Sequence, residues 1–294
     1  RSDADVDYTF GQVEIREPVI HYSGLCGNIS SGVGPYAIEA GLVKVEEPIT
    51  IVRVNNTNTN QIFVVEVPVC KGKPKISGDH AIDGVPGTGA KLNIDMVGTI
   101  GSTNGQLLPT GKAKDKVSVD GAGEIELSIV DVANPCIFVN AEAIGLQGTE
   151  NPAEFNNNKG VIKILEHIRA VGAEMLGMEN WKEATVRDPN PFVAFVSPPQ
   201  DYTNHLTGAK ISASEVSFLS RLLFLGTMHQ TYAGSISVVT GSAAVIPGTV
   251  VNDVAQLKEG GLIRIGHPGG AIDVEAVSEV NSAGEVNLSR IVYT

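Results

Sequence analysis

Apolar and polar positions alternate in short runs from the start of the chain. Val6, Tyr8 and Phe10 alternate with polar neighbours, and Val13 and Ile15 resume the pattern. A period of two is what a strand with one buried face requires. The same logic predicts strands over residues 49–54 and 62–67, with a hairpin loop across residues 55–60. Further strands are expected over 91–97, 124–130, 136–139, 192–196, 262–266, 271–277 and 285–292. Asp83-Gly84, Pro86-Gly87 and Asn134-Pro135 supply turns between them.

Other segments carry a helical signature. Residues 161–171 form an amphipathic pattern. Ser212-Ala213-Ser214-Glu215 reads as a capping box opening a helix through Leu225. Two stretches, residues 28–40 and about 234–246, are small or apolar on every side. A helix without a polar face is expected to be buried all round. Gly41 and Pro247-Gly248 are plausible stops. Strands, one buried helix and more strands therefore occur twice. The halves share no fixed-period repeat. The order predicts an α+β chain of two pseudo-equivalent β-rich domains, residues 1–132 and 133–294, each wrapped around one apolar helix, with the last strand free to return to the first domain.

Composition narrows the function classes. The 294 residues are 42% hydrophobic and 18% charged, with 33 glycines, which fits a packed chain of strands and tight turns rather than disorder. A net charge of −12 argues against non-specific nucleic-acid binding and leaves a small anion open as ligand. Residues 236–251 are interrupted by Ser237, Thr240, Gly241, Ser242, Pro247 and Gly248, too short and polar for a bilayer span. The opening residues Arg1-Ser2-Asp3-Ala4-Asp5 lack the apolar core of a signal peptide. Three widely spaced cysteines suggest neither a disulfide framework nor a zinc site, so a reducing cytoplasm is expected.

The candidate chemistry begins at Gly24-Leu25-Cys26-Gly27-Asn28, a cysteine between glycines at the start of an expected helix. Such a position offers unpaired N–H groups and favours a thiolate. An inert core cysteine remains the alternative. Gly234 and Ser235 open the second buried helix and offer either close packing or a second anion-binding end. The loop Gly266-His267-Pro268-Gly269-Gly270 is either an ordinary turn or a cradle for a carboxylate. Cys136 reads as a core residue and Cys70 as structural or surface. No metal-ligand spacing, nucleotide loop or serine-hydrolase motif is present.

These phrases resemble one family. Gly24-Leu25-Cys26-Gly27-Asn28 followed by a small-residue helix is similar to the cysteine loop of the diaminopimelate epimerase fold, and within it to the PrpF family. Pro109-Thr110-Gly111, Phe138-Val139-Asn140-Ala141-Glu142, Ala244-Val245-Ile246-Pro247-Gly248-Thr249 and Gly266-His267-Pro268-Gly269-Gly270 extend the resemblance along the chain in order. Cys26-Gly27-Asn28-Ile29-Ser30 and Val130-Asp131-Val132-Ala133-Asn134-Pro135-Cys136 look most like its methylitaconate isomerase branch.

The resemblance implies two barrel-like domains around central helices, with an active site in the cleft between them. It implies a cofactor-free and metal-free isomerase, shifting a proton or isomerising cis to trans in an unsaturated di- or tricarboxylate such as 3-methylitaconate or 2-methylaconitate. An oxalomesaconate-type tautomerase and a non-catalytic anion-binding member are the alternatives. Cys26 is then the acid/base. Gly27, Asn28, Gly234, Ser235, His267, Gly269 and Gly270 hold the substrate carboxylates. The partner is that small molecule, not nucleic acid or a membrane, and a homo-oligomer is left open. The sequence departs from the family at Leu25, where many members have Asn, and at Gly269, where some have Ser. The resemblance also implies a lysine acting as catalytic partner to the cysteine, on a loop that, like the end of the last strand, is expected to be missing here.

Overall fold

The computed structural model describes residues 1–14, 17–178, 190–258, 260, 262–281 and 286–294. The expectations at Ile15 and Glu285 lie outside them.

One mixed sheet organises the chain. Among the described residues it has 14 strands. From the edge strand Val6–Tyr8 it runs through Ile49–Asn56, Gln61–Cys70 and Asn93–Asp95 to the C-terminal strand Val286–Tyr293. It continues through Gly270–Val280, Leu262–His267, Phe218–Phe224, Phe192–Ser197, Asn134–Asn140, Gly123–Val132 and Asp115–Val119. The C-terminal strand is the seam, because Tyr293 pairs with Ile94 on one side and with Val274 on the other. The division expected after Val132 falls inside a hairpin, where Val132 pairs with Asn134 and Val130 with Cys136.

Six helices are used below: α1 (Gly27–Ser30), α2 (Val33–Glu39), α3 (Pro152–Asn157), α4 (Lys159–Met175), α5 (Gly234–Val245) and α6 (Val250–Val254). The second small-residue stretch is buried all round, as its composition predicts. Every residue of α5 from Gly234 to Ala244 is buried. Its hydroxyls bond within the helix, Ser237 to the Gly234 carbonyl, Thr240 to Ile236 and Ser242 to Val238. That back-bonding removes the penalty for burying them. A Cβ at Gly241 would lie 2.7 Å from Val274 Cγ1, so the small residue lets α5 sit directly on the sheet.

The first stretch departs from expectation. Residues 28–40 do not form one buried helix. Pro35 has no N–H to give the Ser31 carbonyl, so a continuous helix fails there and α2 restarts with Pro35 in its first turn. Only one face packs: Gly34, Ala37 and Ile38 are buried, while Ile29 and Tyr36 are 55% and 68% exposed. With the strand Val6–Tyr8 they line an outer groove.

The capping box at Ser212 is present, but it closes a single 3-10 turn, Ala213–Glu215, instead of a long helix. Phe218–Phe224 follows as a strand buried on both faces except at its last residue. A doubly buried strand shows no alternation, which is why its apolar run mimics a helix. On one face of the sheet α4 packs over Phe192–Ser197, Asn134–Asn140 and Asp115–Val119, and its Leu165 and Ile168 join Ile129, Ile137, Val193, Phe195 and Leu223 in a second core.

Candidate functional site

The two glycine-started helices, α1 and α5, meet end to end. A Cβ on Gly27 would lie 2.3 Å from the Ser235 nitrogen and 2.7 Å from the Gly234 carbonyl carbon. Only glycine allows that approach. Asn28 bridges the junction, its Oδ1 accepting the Gly234 N–H at 3.1 Å. Tyr293 closes it from the sheet, donating its hydroxyl to the Gly27 carbonyl at 2.7 Å.

Cys26 sits at the N-cap of α1 in an extended conformation, and its carbonyl accepts from the Ser30 amide and hydroxyl. The residue before it is clamped. Asn134 accepts the Leu25 N–H at 3.1 Å and donates to the Leu25 carbonyl at 2.8 Å, both bonds buried. Gly24 is held between Asn134 and Asn190, whose side-chain amides would meet a Cβ at 2.7 and 2.8 Å.

Cys26 opens onto a cleft of about 610 Å³, counting its mouth. Gly27, Asn28, Gly234 and Ser235 line it too, so five of the eight expected site residues come together. The Gly234 N–H is taken by Asn28. The Gly27, Asn28 and Ser235 amides occupy first-turn positions, which have no acceptor within their own helix. The opposite wall is aromatic. Phe192 and Phe224 stack at 5.9 Å, and His229 meets the edge of Phe224 at 6.0 Å. Among the described residues lining the cleft there is no lysine or arginine.

His267, Gly269 and Gly270 do not line this cleft. They form the tight turn between Leu262–His267 and Gly270–Val280, and its polar groups have partners. The Gly269 amide donates to His267 Nδ1, and the carbonyls of Gly269 and Gly270 accept from Asn204 and Tyr202. Asp83 already places a carboxylate there, accepting the Ala271 N–H at 2.8 Å. His267 stacks on Tyr232 and is 1% exposed, and burial, followed by nearby Arg221, lowers its pKa to about 3. It is a neutral core residue at pH 7.

Two phenols back the thiol. Burial, and then the charge that Cys26 carries when ionised, push Tyr8 up to about 12 and raise Tyr293 further. Both stay protonated beside Cys26 through the neutral range. Cys136 is buried in its strand and burial raises its pKa, while Cys70 is exposed, as expected for both. Among the described residues no three His, Cys, Asp or Glu side chains are placed to hold a metal ion, and no helix is long and apolar enough to cross a membrane.

Sequence reasoning missed Asn134, Asn190, Phe192, Phe224, His229 and Tyr293. Asn134 reads as a turn residue before proline and the others as ordinary strand or loop positions. The one local signal is His229, five residues before the first turn of α5.

Comparison with known proteins agrees with this architecture. The 3-methylitaconate isomerase of Eubacterium barkeri is 49% identical over 293 residues, which is 98% of this chain and 76% of that protein. A 2-methyl-aconitate isomerase of Cupriavidus necator is 36% identical over 287 residues, covering 95% and 72%. The crystal structure of a methylitaconate-delta-isomerase superposes with a TM-score of 0.86 at 47% identity, over 100% of this chain and 76% of that one. The fold is thus the diaminopimelate epimerase-like α+β arrangement. The PrpF protein family model matches residues 1–294, and the chain belongs to the PrpF family.

Proposed function

We propose that the protein is an isomerase moving a proton along the allylic system of an unsaturated polycarboxylate of the 3-methylitaconate or 2-methylaconitate type. Cys26 is its proton-transferring group. The observation that carries this reading is the convergence of a partly exposed thiol and two helix N-termini on one cleft. The names of the relatives support the substrate class.

Removing a proton from carbon next to a conjugated carboxylate adds charge to oxygens that are already anionic. N–H donors fixed where that charge grows lower the barrier without reorganising. α5 has three turns and carries most of the helix dipole, worth up to about 2 kcal/mol in a partly buried setting. α1 is a single turn and contributes its amides more than a dipole. The aromatic wall of Phe192 and Phe224 fits the hydrocarbon skeleton and excludes water, which strengthens each polar contact.

The proton balance of the shift closes through Cys26. The Cys26 thiolate takes a proton from one end of the allyl unit, the electron pair moves and shifts the double bond, and the thiol returns the proton to the other end. Atoms and charge balance without oxidation or reduction. The three free thiols fit a reducing cytoplasm.

The test is proton NMR of the full chain with 3-methylitaconate and with 2-methylaconitate in deuterated water. Deuterium incorporation with isomerisation is expected. Cys26→Ser should lower the rate by about 10²–10⁴-fold while keeping ligand binding. Wild-type protein that neither exchanges nor isomerises either acid rules the reading out. Binding without turnover in both forms instead identifies a non-catalytic anion binder.

A further inference from the structure

The cleft has to hold two carboxylates, yet its described lining contains no lysine or arginine. One side chain there has its hydrogen bonding fixed from behind. His229 Nδ1 accepts the Thr231 N–H at 3.2 Å. That bond assigns the proton of a neutral imidazole to Nε2. Nε2 has no partner among the described residues, so a donor is left over.

The ring is also held in place. Its backbone N–H bonds to the Leu222 carbonyl at 2.9 Å, and Thr227 and Met228 pair back onto Phe224 and Leu223. Phe224 meets the imidazole edge-on and is itself stacked on Phe192. Burial lowers the pKa of His229, outweighing the hydrogen bond with the Thr231 backbone, which raises it. His267 is near enough that a charge on either imidazole disfavours a charge on the other.

We propose that His229 recognises one carboxylate of the substrate through Nε2–H, from the wall of the cleft that also holds Cys26. The two helix N-termini then serve the carboxylate on which charge develops. His229 takes the other, and Phe224 and Phe192 pack against the carbon skeleton between them. The assignment rests on the proposed polycarboxylate substrate and adds a specificity-determining residue to that site. A monoanion lacking the second carboxylate would leave the His229 donor unmatched, so the site discriminates by charge number as well as shape.

The experiment is calorimetric binding of 3-methylitaconate to the full chain, in parallel with turnover. His229→Gln keeps an N–H donor at similar reach, whereas His229→Phe keeps a flat ring and removes the donor. His229→Phe should weaken binding by about 10–100-fold, as expected for a lost hydrogen bond to a charged group, and His229→Gln markedly less. Equal losses in the two variants, unchanged binding in His229→Phe, or no binding to wild type would each overturn the proposal. Intact binding without turnover refutes the proton-transfer reading and leaves this one standing. Should His229→Phe fail to fold, imidazole ¹⁵N NMR of the wild-type chain decides. Added 3-methylitaconate must shift the His229 Nε2 resonance while Nδ1 keeps its acceptor signature, and an unmoved Nε2 resonance refutes the assignment.

Discussion

Gly27 lies so close to Ser235 that a single methyl group does not fit between them. A Cβ on Gly27 would stand 2.3 Å from the Ser235 nitrogen, although the residues are more than two hundred positions apart. The contact is backbone to backbone, so no side-chain rotation relieves it. Gly27→Ala therefore drives α1 and α5 apart at the cleft. Overpacking of this kind costs about 1–3 kcal/mol. A displacement near 1 Å at a reacting group costs about 10²-fold in rate. Urea denaturation together with the deuterium-exchange rate checks both, and full activity in Gly27→Ala would show that the junction is not needed.

Asn134 holds the cysteine loop by two buried bonds to the backbone of Leu25. Asn134→Ala leaves an N–H and a carbonyl unpaired out of reach of water, at a cost of about 2–4 kcal/mol. It also releases the backbone next to Cys26. The expected result is a lower denaturation midpoint with an unchanged slope, and a rate that falls further than the substrate affinity. A variant as stable as wild type would disprove the clamp.

The three thiols should separate under alkylation. Cys70 is exposed, Cys26 is partly exposed in the cleft, and Cys136 is buried with its thiol pushed up. Iodoacetamide at neutral pH should label Cys70 and Cys26 and leave Cys136 unmodified. Saturating 3-methylitaconate should protect Cys26 alone. Peptide mapping by mass spectrometry reads each site separately, and equal labelling of Cys26 with and without ligand counts against its place in the binding site.

His267 gives the fold an acid limb. Its native pKa is about 3, below the roughly 6.5 of an unfolded histidine. Between those values the unfolded chain binds the proton and the native chain does not, so stability falls as pH drops from about 6.5 towards 3. The limiting slope is about 1.4 kcal/mol per pH unit. His267→Gln keeps an acceptor for the Gly269 amide and should flatten that limb. Parallel acid unfolding curves for variant and wild type would remove His267 as its source.

Much of the fold is readable from period and punctuation. The alternation at residues 49–67 predicts the hairpin formed by Ile49–Asn56 and Gln61–Cys70, and the small-residue pattern predicts a fully buried α5. The reading fails where a local rule has two tertiary outcomes. A capping box before an apolar run suits a helix, yet Phe218–Phe224 lies between two buried layers and becomes a strand. Small residues at 28–40 suit a central helix, yet Pro35 and a single packed face give two short, half-exposed ones.

The site divides in the same way. Short-range order along the chain carries the local chemistry: a thiol between glycines at a helix start, and a second glycine-started helix of small and apolar residues. Those properties depend on neighbours within one or two turns. Folding settles which of them meet. It brought Gly27 against Ser235, set Asn134 under Leu25 and carried Tyr293 to the junction, because strand pairing joins segments far apart in sequence. It put His267, Gly269 and Gly270 in a turn outside the lining of the cleft, with His267 stacked on Tyr232, and it set His229 in that lining.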